Sequence, residues 1–199
     1  MKRTLLAMTL LLALSLSGCS RYPESADDGT PWGQDWEMLG TAMGVEAPGN
    51  GLTLLENTVV LAAEDTYYAT WTIGESQPYI NAAGEETELY PAQMYLLLYG
   101  CADAERAGDA VDEWIARERE SYSVRETREE EHNGQRYTIL SYDVTSAANP
   151  YDRGASAFGV FGHYAVVVEF TGTADYDGDA EKVLSEFLDG CHYSAAALK

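Results

Sequence analysis

The chain has 199 residues, 33 of them acidic and 12 basic, for a formal net charge of −21. So large an acidic excess excludes a nucleic-acid binder, because phosphate contacts need a basic footprint. With 46% hydrophobic residues and 14 tyrosines, the chain can bury a core, which excludes disorder throughout.

Lys2 and Arg3 precede an apolar run, Leu5 to Leu16, followed by Ser17-Gly18-Cys19. A charged start, a short apolar stretch and small residues before a cut define an export signal. The run is too short to span hydrocarbon, which takes about 20 residues. Leu16-Ser17-Gly18-Cys19 resembles the bacterial lipobox. That resemblance implies diacylglyceryl modification of the Cys19 thiol and cleavage before it, with residues 1–18 as signal peptide. Acyl chains would anchor the product at about 0.8 kcal/mol per buried CH2. It implies a protein held at the cell membrane or outer membrane, facing away from the cytoplasm. Residues 19–33 then read as anchor and flexible tether, rich in proline and acid, reaching roughly 20 Å. A single globular domain is expected over 34–199.

From Asp35 to Tyr99 the pattern is mainly strand-like. "TLLENTVVLAAEDTYYATWTIG" predicts a hairpin turning at Glu64-Asp65. Gly84 punctuates "NAAGEETELY", and "AQMYLLLYG" is a continuous apolar run typical of a buried central strand. Ala104 to Glu120 predicts a helix, with Ala104, Ala107, Val111, Trp114 and Ile115 at helical spacing and Asp103 as N-cap. Asn133-Gly134 supplies the two positive-φ positions of a type I′ hairpin turn. A loop, "SAANPYDRGA", leads to a second hairpin turning near Phe161-Gly162-His163. "DAEKVLSEFLDG" predicts a closing helix with Val183, Leu184, Phe187 and Leu188 inward, Asp179 as N-cap and Gly190 at C′.

Strands, helix, hairpins and helix in this order predict an α+β fold, an antiparallel sheet flanked by two main helices. The helix, the Asn133-Gly134 hairpin, the strand "HYAVVVEF" and the helix "EKVLSEFL" resemble, in their order, the PsbP-like α/β/α sandwich over about residues 40–193. The resemblance implies binding or assembly roles and brings no catalytic residue with it.

Cys101 and Cys191 could pair after export, closing a loop of ~90 residues worth about 4.7 kcal/mol in the entropy model. They could equally be two buried thiols. Neither CxxC nor a zinc-like Cys/His spacing occurs.

Three patterns invite chemistry. Asp175, Asp177 and Asp179, with Glu186, fall at calcium-loop positions 1, 3, 5 and 12, but Ala180 stands where the loop needs glycine. The same acids serve as helix caps. "GASAF", Gly154 to Phe158, is one residue short of a nucleophile elbow, with Asp175 and His192 following in triad order. Phe158 occupies the required glycine position, and the serine precedes a strand rather than a helix. His132, His163 and His192 are scattered over turns and a terminal segment. No enzyme, metal or cofactor is expected from these patterns.

Rings suggest recognition instead. Tyr67, Tyr68 and Trp71 share one predicted hairpin, and Tyr151, Asp152 and Arg153 lie in a polar loop. Together they form a candidate surface for sugars, amines or peptides. The expected role is a non-catalytic, lipid-anchored binding or assembly-support protein with a protein partner. A small-ligand receptor using the tyrosine-rich surface is the alternative.

Overall fold

A computed structural model describes residues 51–55, 60–62, 66–146 and 148–191. The signal, Cys19, the tether, Glu64-Asp65 and His192 lie outside the described residues. Ten strands and two helices follow: β1 Thr53–Leu54, β2 Val60–Ala62, β3 Thr66–Ile73, β4 Gln77–Ile80, β5 Glu86–Leu89, β6 Ala92–Gly100, α1 Ala104–Ser121, β7 Ser123–His132, β8 Gln135–Asp143, β9 Arg153–Phe161, β10 Tyr164–Gly172 and α2 Ala180–Gly190.

Eight strands form one antiparallel sheet in the order β1-β3-β6-β10-β9-β8-β7, with β2 also pairing to β3. The path explains the order. After β6, helix α1 crosses one face to deliver the chain to β7 at the far edge. Three antiparallel steps then return it until β10 lies beside β6: tight turns join β7 to β8 and β9 to β10, and the longer segment 144–152 joins β8 to β9. Antiparallel neighbours need only short turns, and the turn chemistry supplies them. Asn133 (φ +51) and Gly134 (φ +79) make the β7–β8 turn. Gly162 (φ +59) opens the β9–β10 turn, the position that a type II′ turn reserves for glycine.

Alternation along the central strands feeds two separate cores. Met94, Leu96 and Leu98 of β6, with Val166, Val168 and Phe170 of β10, face α2 and pack on its Leu184, Phe187 and Leu188. Leu97 and Tyr99 of β6, with Ala165 and Val167 of β10, face α1 and pack on its Ala107, Val111, Trp114 and Ile115. Both faces are covered, so the inner strands are apolar on both sides. That is why "AQMYLLLYG" and "YAVVVEF" read as continuous runs. The expected α+β architecture, a sheet with one helix on each face, is what the structure has.

The caps at both helix starts are as expected. Asp103 accepts from the Arg106 N–H at 2.9 Å, and Asp179 accepts from those of Glu181 and Lys182 at 3.0 and 3.2 Å. The end of α2 differs from expectation. Gly190 is the last helical residue and takes no left-handed φ; Cys191 follows in extended conformation. The carbonyls there are met by a distant side chain instead. Asn133 Nδ2, from the β7–β8 turn, donates to Asp189 O at 2.7 Å and Cys191 O at 2.9 Å. One residue thus shapes a hairpin and closes a helix.

Asn133→Ala removes both functions. The left-handed backbone costs a Cβ-bearing residue about 1–2 kcal/mol, and each lost hydrogen bond about 0.5–1.5 kcal/mol. A loss of about 2–3 kcal/mol is expected in urea unfolding. Asn133→Gly, which keeps the turn and loses only the cap, should cost clearly less.

Between β3 and β6 the chain leaves the main sheet. β4 and β5 pair only as a two-stranded ribbon of their own, with Ile80 opposite Glu86 and Gln77 opposite Leu89. The arm springs from Gly74 (φ +81), where an added Cβ would stand 3.0 Å from the Pro91 ring. Its tip is closed by Asn81, whose Oδ1 accepts from Ala83 N and Glu85 N, with Gly84 at φ +78. At the opposite margin of the main sheet, β7 reads SVRETREEEH, an edge strand loaded with charge.

Candidate functional site

Trp71, expected at a ligand surface, is fully buried and meets Phe187 of α2 edge-on at 5.1 Å. It is a core residue, because Ala69, Trp71 and Ile73 of β3 lie on the side of the sheet that α2 covers. The backbones of Tyr67 and Tyr68 pair in β3, opposite Leu98 and Leu97 of β6; their side chains lie outside the description. Tyr151 is also interior, 6% exposed, and burial pushes its hydroxyl pKa up. Of the three candidates in that loop, Asp152 and Arg153 reach the surface. The Arg153 guanidinium is engaged by the Tyr176 carbonyl and, at 3.6 Å, by Asp152. No aromatic platform results among the described residues.

Of the two alternatives left open for the cysteines, the structure has separate thiols. Cys191 lies in the core under α2, and Cys101 packs against the core under α1, on the other side of the sheet. The two thiols are not bonded to each other. Burial pushes the Cys191 thiol up to about 12, so it is a poor nucleophile.

The calcium loop does not assemble either. Asp179 caps α2, Asp175 and Asp177 are exposed, and no group of three or more His, Cys, Asp or Glu side chains able to hold a metal occurs among the described residues. "GASAF" runs along the extended strand β9, so Ser156 sits on no strand-to-helix elbow. It is wholly buried beneath α1. Of the histidines, His163 lies in the β9–β10 turn. His132 is buried, its Nδ1 2.7 Å from Asp189 and its Nε2 3.0 Å from Glu130. Glu130 continues to Arg128 at 2.6 Å, which reaches Glu181 at 3.0 Å. This network ties both ends of α2 to β7 and leaves no ring nitrogen for chemistry. Although burial acts to raise Glu130, its bonds to Arg128 and His132 outweigh that and hold its pKa low.

A different cluster lies where the sheet meets the last turn of α1. Glu169 of β10 points to the α1 side, with Tyr95 of β6 and Ser156 of β9 opposite it in register. Glu118 comes down from α1, and Tyr122 caps that helix. Tyr142 of β8 completes the group: its hydroxyl lies 2.5 Å from Glu169 Oε1 and 3.3 Å from Ser156 Oγ. Its ring stacks on Tyr122 at 4.3 Å and 6°. The ring reaches this position by lying over Gly154, where any Cβ would come within 2.6 Å of it.

Both glutamates keep some exposed side-chain surface, but their carboxyl groups lie inside. Desolvation pushes Glu118 well above the usual carboxylate range, and the Glu169 charge pushes it further. Desolvation also raises Glu169, against a lowering hydrogen bond from Tyr142. Tyr142 and Tyr122 are raised in turn, first by burial and then by the glutamates. Glu118 Oε1 is sealed from solvent and has no hydrogen-bond partner; the same holds for Trp114 Nε1, one turn earlier on α1.

The chain matches no protein-family model and no curated protein sequence.

Proposed function

We propose that the chain is a lipid-anchored extracytoplasmic protein with a non-catalytic binding role, docking a protein partner through the β4–β5 arm. The observation that carries this reading is the arm itself. It stands off the main sheet, and at its tip Ile80 is 66% exposed, the exposed large hydrophobic side chain of the described residues. Ring and aliphatic groups in residues 75–90 are surrounded by Glu75, Glu85, Glu86 and Glu88, with no lysine, arginine or histidine. An isolated two-strand ribbon is marginal by itself. An apolar tip within an acidic frame fits a partner that offers a pocket rimmed by cations.

The lipobox-like Leu16-Ser17-Gly18-Cys19 supports the anchored location. The resemblance of element order to PsbP-like domains points to assembly and binding. No helix among the described residues is long and apolar enough to cross a membrane. The small-ligand alternative loses its two interior rings, Trp71 and Tyr151.

Two measurements test the reading. Intact-mass analysis of membrane-extracted protein should show a chain beginning at acylated Cys19, and Cys19→Ser should accumulate the uncut precursor. Ile80→Glu should weaken partner capture about tenfold or more while leaving the melting temperature unchanged, because the side chain is exposed. A cytosolic chain still carrying Met1 would refute the anchor, and unaltered capture would refute the arm.

A further inference from the structure

The carboxyl–hydroxyl cluster under α1 poses a question of proton counting. The Glu118 carboxyl is hydrogen-bonded to Ser156, Ser156 Oγ lies against the Tyr142 hydroxyl, and Tyr142 against Glu169. These are three oxygen–oxygen contacts in a row. Each hydroxyl brings one proton, and an ionised carboxylate brings none. With both glutamates ionised, two protons must serve three contacts, so lone pairs face each other at one of them. One carboxyl proton completes the row. It also relieves a second problem, since two buried negative charges would otherwise sit together without a cation. Among the described residues no lysine, arginine or histidine acts on either carboxyl.

We propose that Glu118, Ser156, Tyr142 and Glu169 hold one shared proton, whose loss on alkalinisation loosens the last turn of α1 from the sheet. Glu118 is the resting donor. Its O–H donates to Ser156, Ser156 to Tyr142, and Tyr142 to Glu169, which leaves Glu118 Oε1 as a neutral carbonyl oxygen. An orphaned carbonyl in the interior costs far less than an orphaned carboxylate. On release the proton passes to solvent, and the cluster then carries two charges confronting each other across Ser156. Every element packed on the site contributes a named group: Trp114, Glu118 and Tyr122 from α1 and its cap, Tyr95 from β6, Tyr142 from β8, Ser156 from β9 and Glu169 from β10. Val124 of β7 is apolar and offers no countercharge. The site therefore couples the seating of a helix to the surrounding pH. This inference stands whether or not the protein is lipid-anchored.

The sign follows from linkage. A carboxyl raised in the folded state keeps its proton where the unfolded chain has already lost it. Stability therefore falls as pH rises from the ordinary glutamate value of about 4.3 towards the raised folded value. Surface carboxylates are already ionised above about pH 6, so the range above it isolates the buried pair.

The test is thermal melting of the full-length protein in detergent from about pH 6 to about pH 9, for the native chain and for Glu118→Gln and Tyr142→Phe. The native midpoint should fall by about 5 °C or more across this range. Glu118→Gln, which keeps shape and hydrogen-bonding groups, should remove most of the slope; contributions from the histidines are common to both proteins and cancel. Tyr142→Phe cuts the row while keeping the ring stack, and it should alter the slope as well. Infrared difference spectra of the native protein should contain a protonated-carboxyl band, a readout that needs no variant to fold. Equal slopes in native and Glu118→Gln proteins, or absence of that band, would overturn the proposal. So would a midpoint raised by calcium or magnesium in the native protein but not in Glu118→Gln, because a cation would then occupy the site in place of the proton.

Discussion

Trp71→Ala is expected to destabilise the domain by about 3–5 kcal/mol, the range for emptying a buried aromatic site. Trp71 is the largest of the fully buried side chains among the described residues. It sits on β3, next to the short edge strand β1, and its ring reaches Phe187 on α2. Removing it takes away both the area and the edge-on contact that joins the third strand to the closing helix. Against a total stability of about 5–15 kcal/mol, that is a large fraction. Urea unfolding measures it directly, and a fall of about 10 °C in melting temperature should accompany it. Trp71→Phe should recover a large part. The result also decides between two roles for this ring: a surface ligand-binding tryptophan would lose binding with little change in stability.

The second large effect concerns Gly154. Its φ is ordinary, and the constraint comes from outside: Tyr142 atoms stand 2.6 Å from where a Cβ would be. Gly154→Ala must displace a ring held on three sides, by Tyr122, Glu169 and Ser156. Overpacking of this kind costs about 1–3 kcal/mol. Part of that cost is electrostatic, because the Tyr142 hydroxyl is the donor to a buried carboxyl. Gly154→Ala placed in a Tyr142→Ala background should therefore cost much less than in the native chain. A double-mutant cycle reads the difference as coupling. Equal costs in both backgrounds would show that the glycine serves something other than the ring.

The architecture was largely legible in the chain. Apolar runs without alternation marked the strands that α1 and α2 cover on both faces, and Asn133-Gly134 placed one hairpin to the residue. The β4–β5 ribbon escaped because its polar, proline-bearing segments carry neither periodicity nor burial. Trp71 was misplaced on the candidate ligand surface for a physical reason: alternation says that Trp71 and Ala69 share a face, but not which face has a helix on it. Cysteine spacing likewise says nothing about sides of a sheet, so Cys101 and Cys191 looked pairable. The buried cluster did have a signal. Glu169 interrupts "YAVVVEF", a run whose length and apolarity demand burial, and a charge inside such a strand needs an explanation. Its partners come from α1, β8 and β9, positions that only the folded register brings together.

The loaded edge strand β7 also bears on self-association. An open sheet margin is a template on which a second copy can extend the ladder, and repetition would build a fibre. Along β7, Glu126, Glu129, Glu130 and Glu131 outnumber Arg125 and Arg128, so an approaching twin meets mainly its own sign. Among the described residues, the opposite margin carries the short pieces β1 and β2. The charge along β7 thereby works against sheet-to-sheet growth at this margin when copies of the domain are crowded.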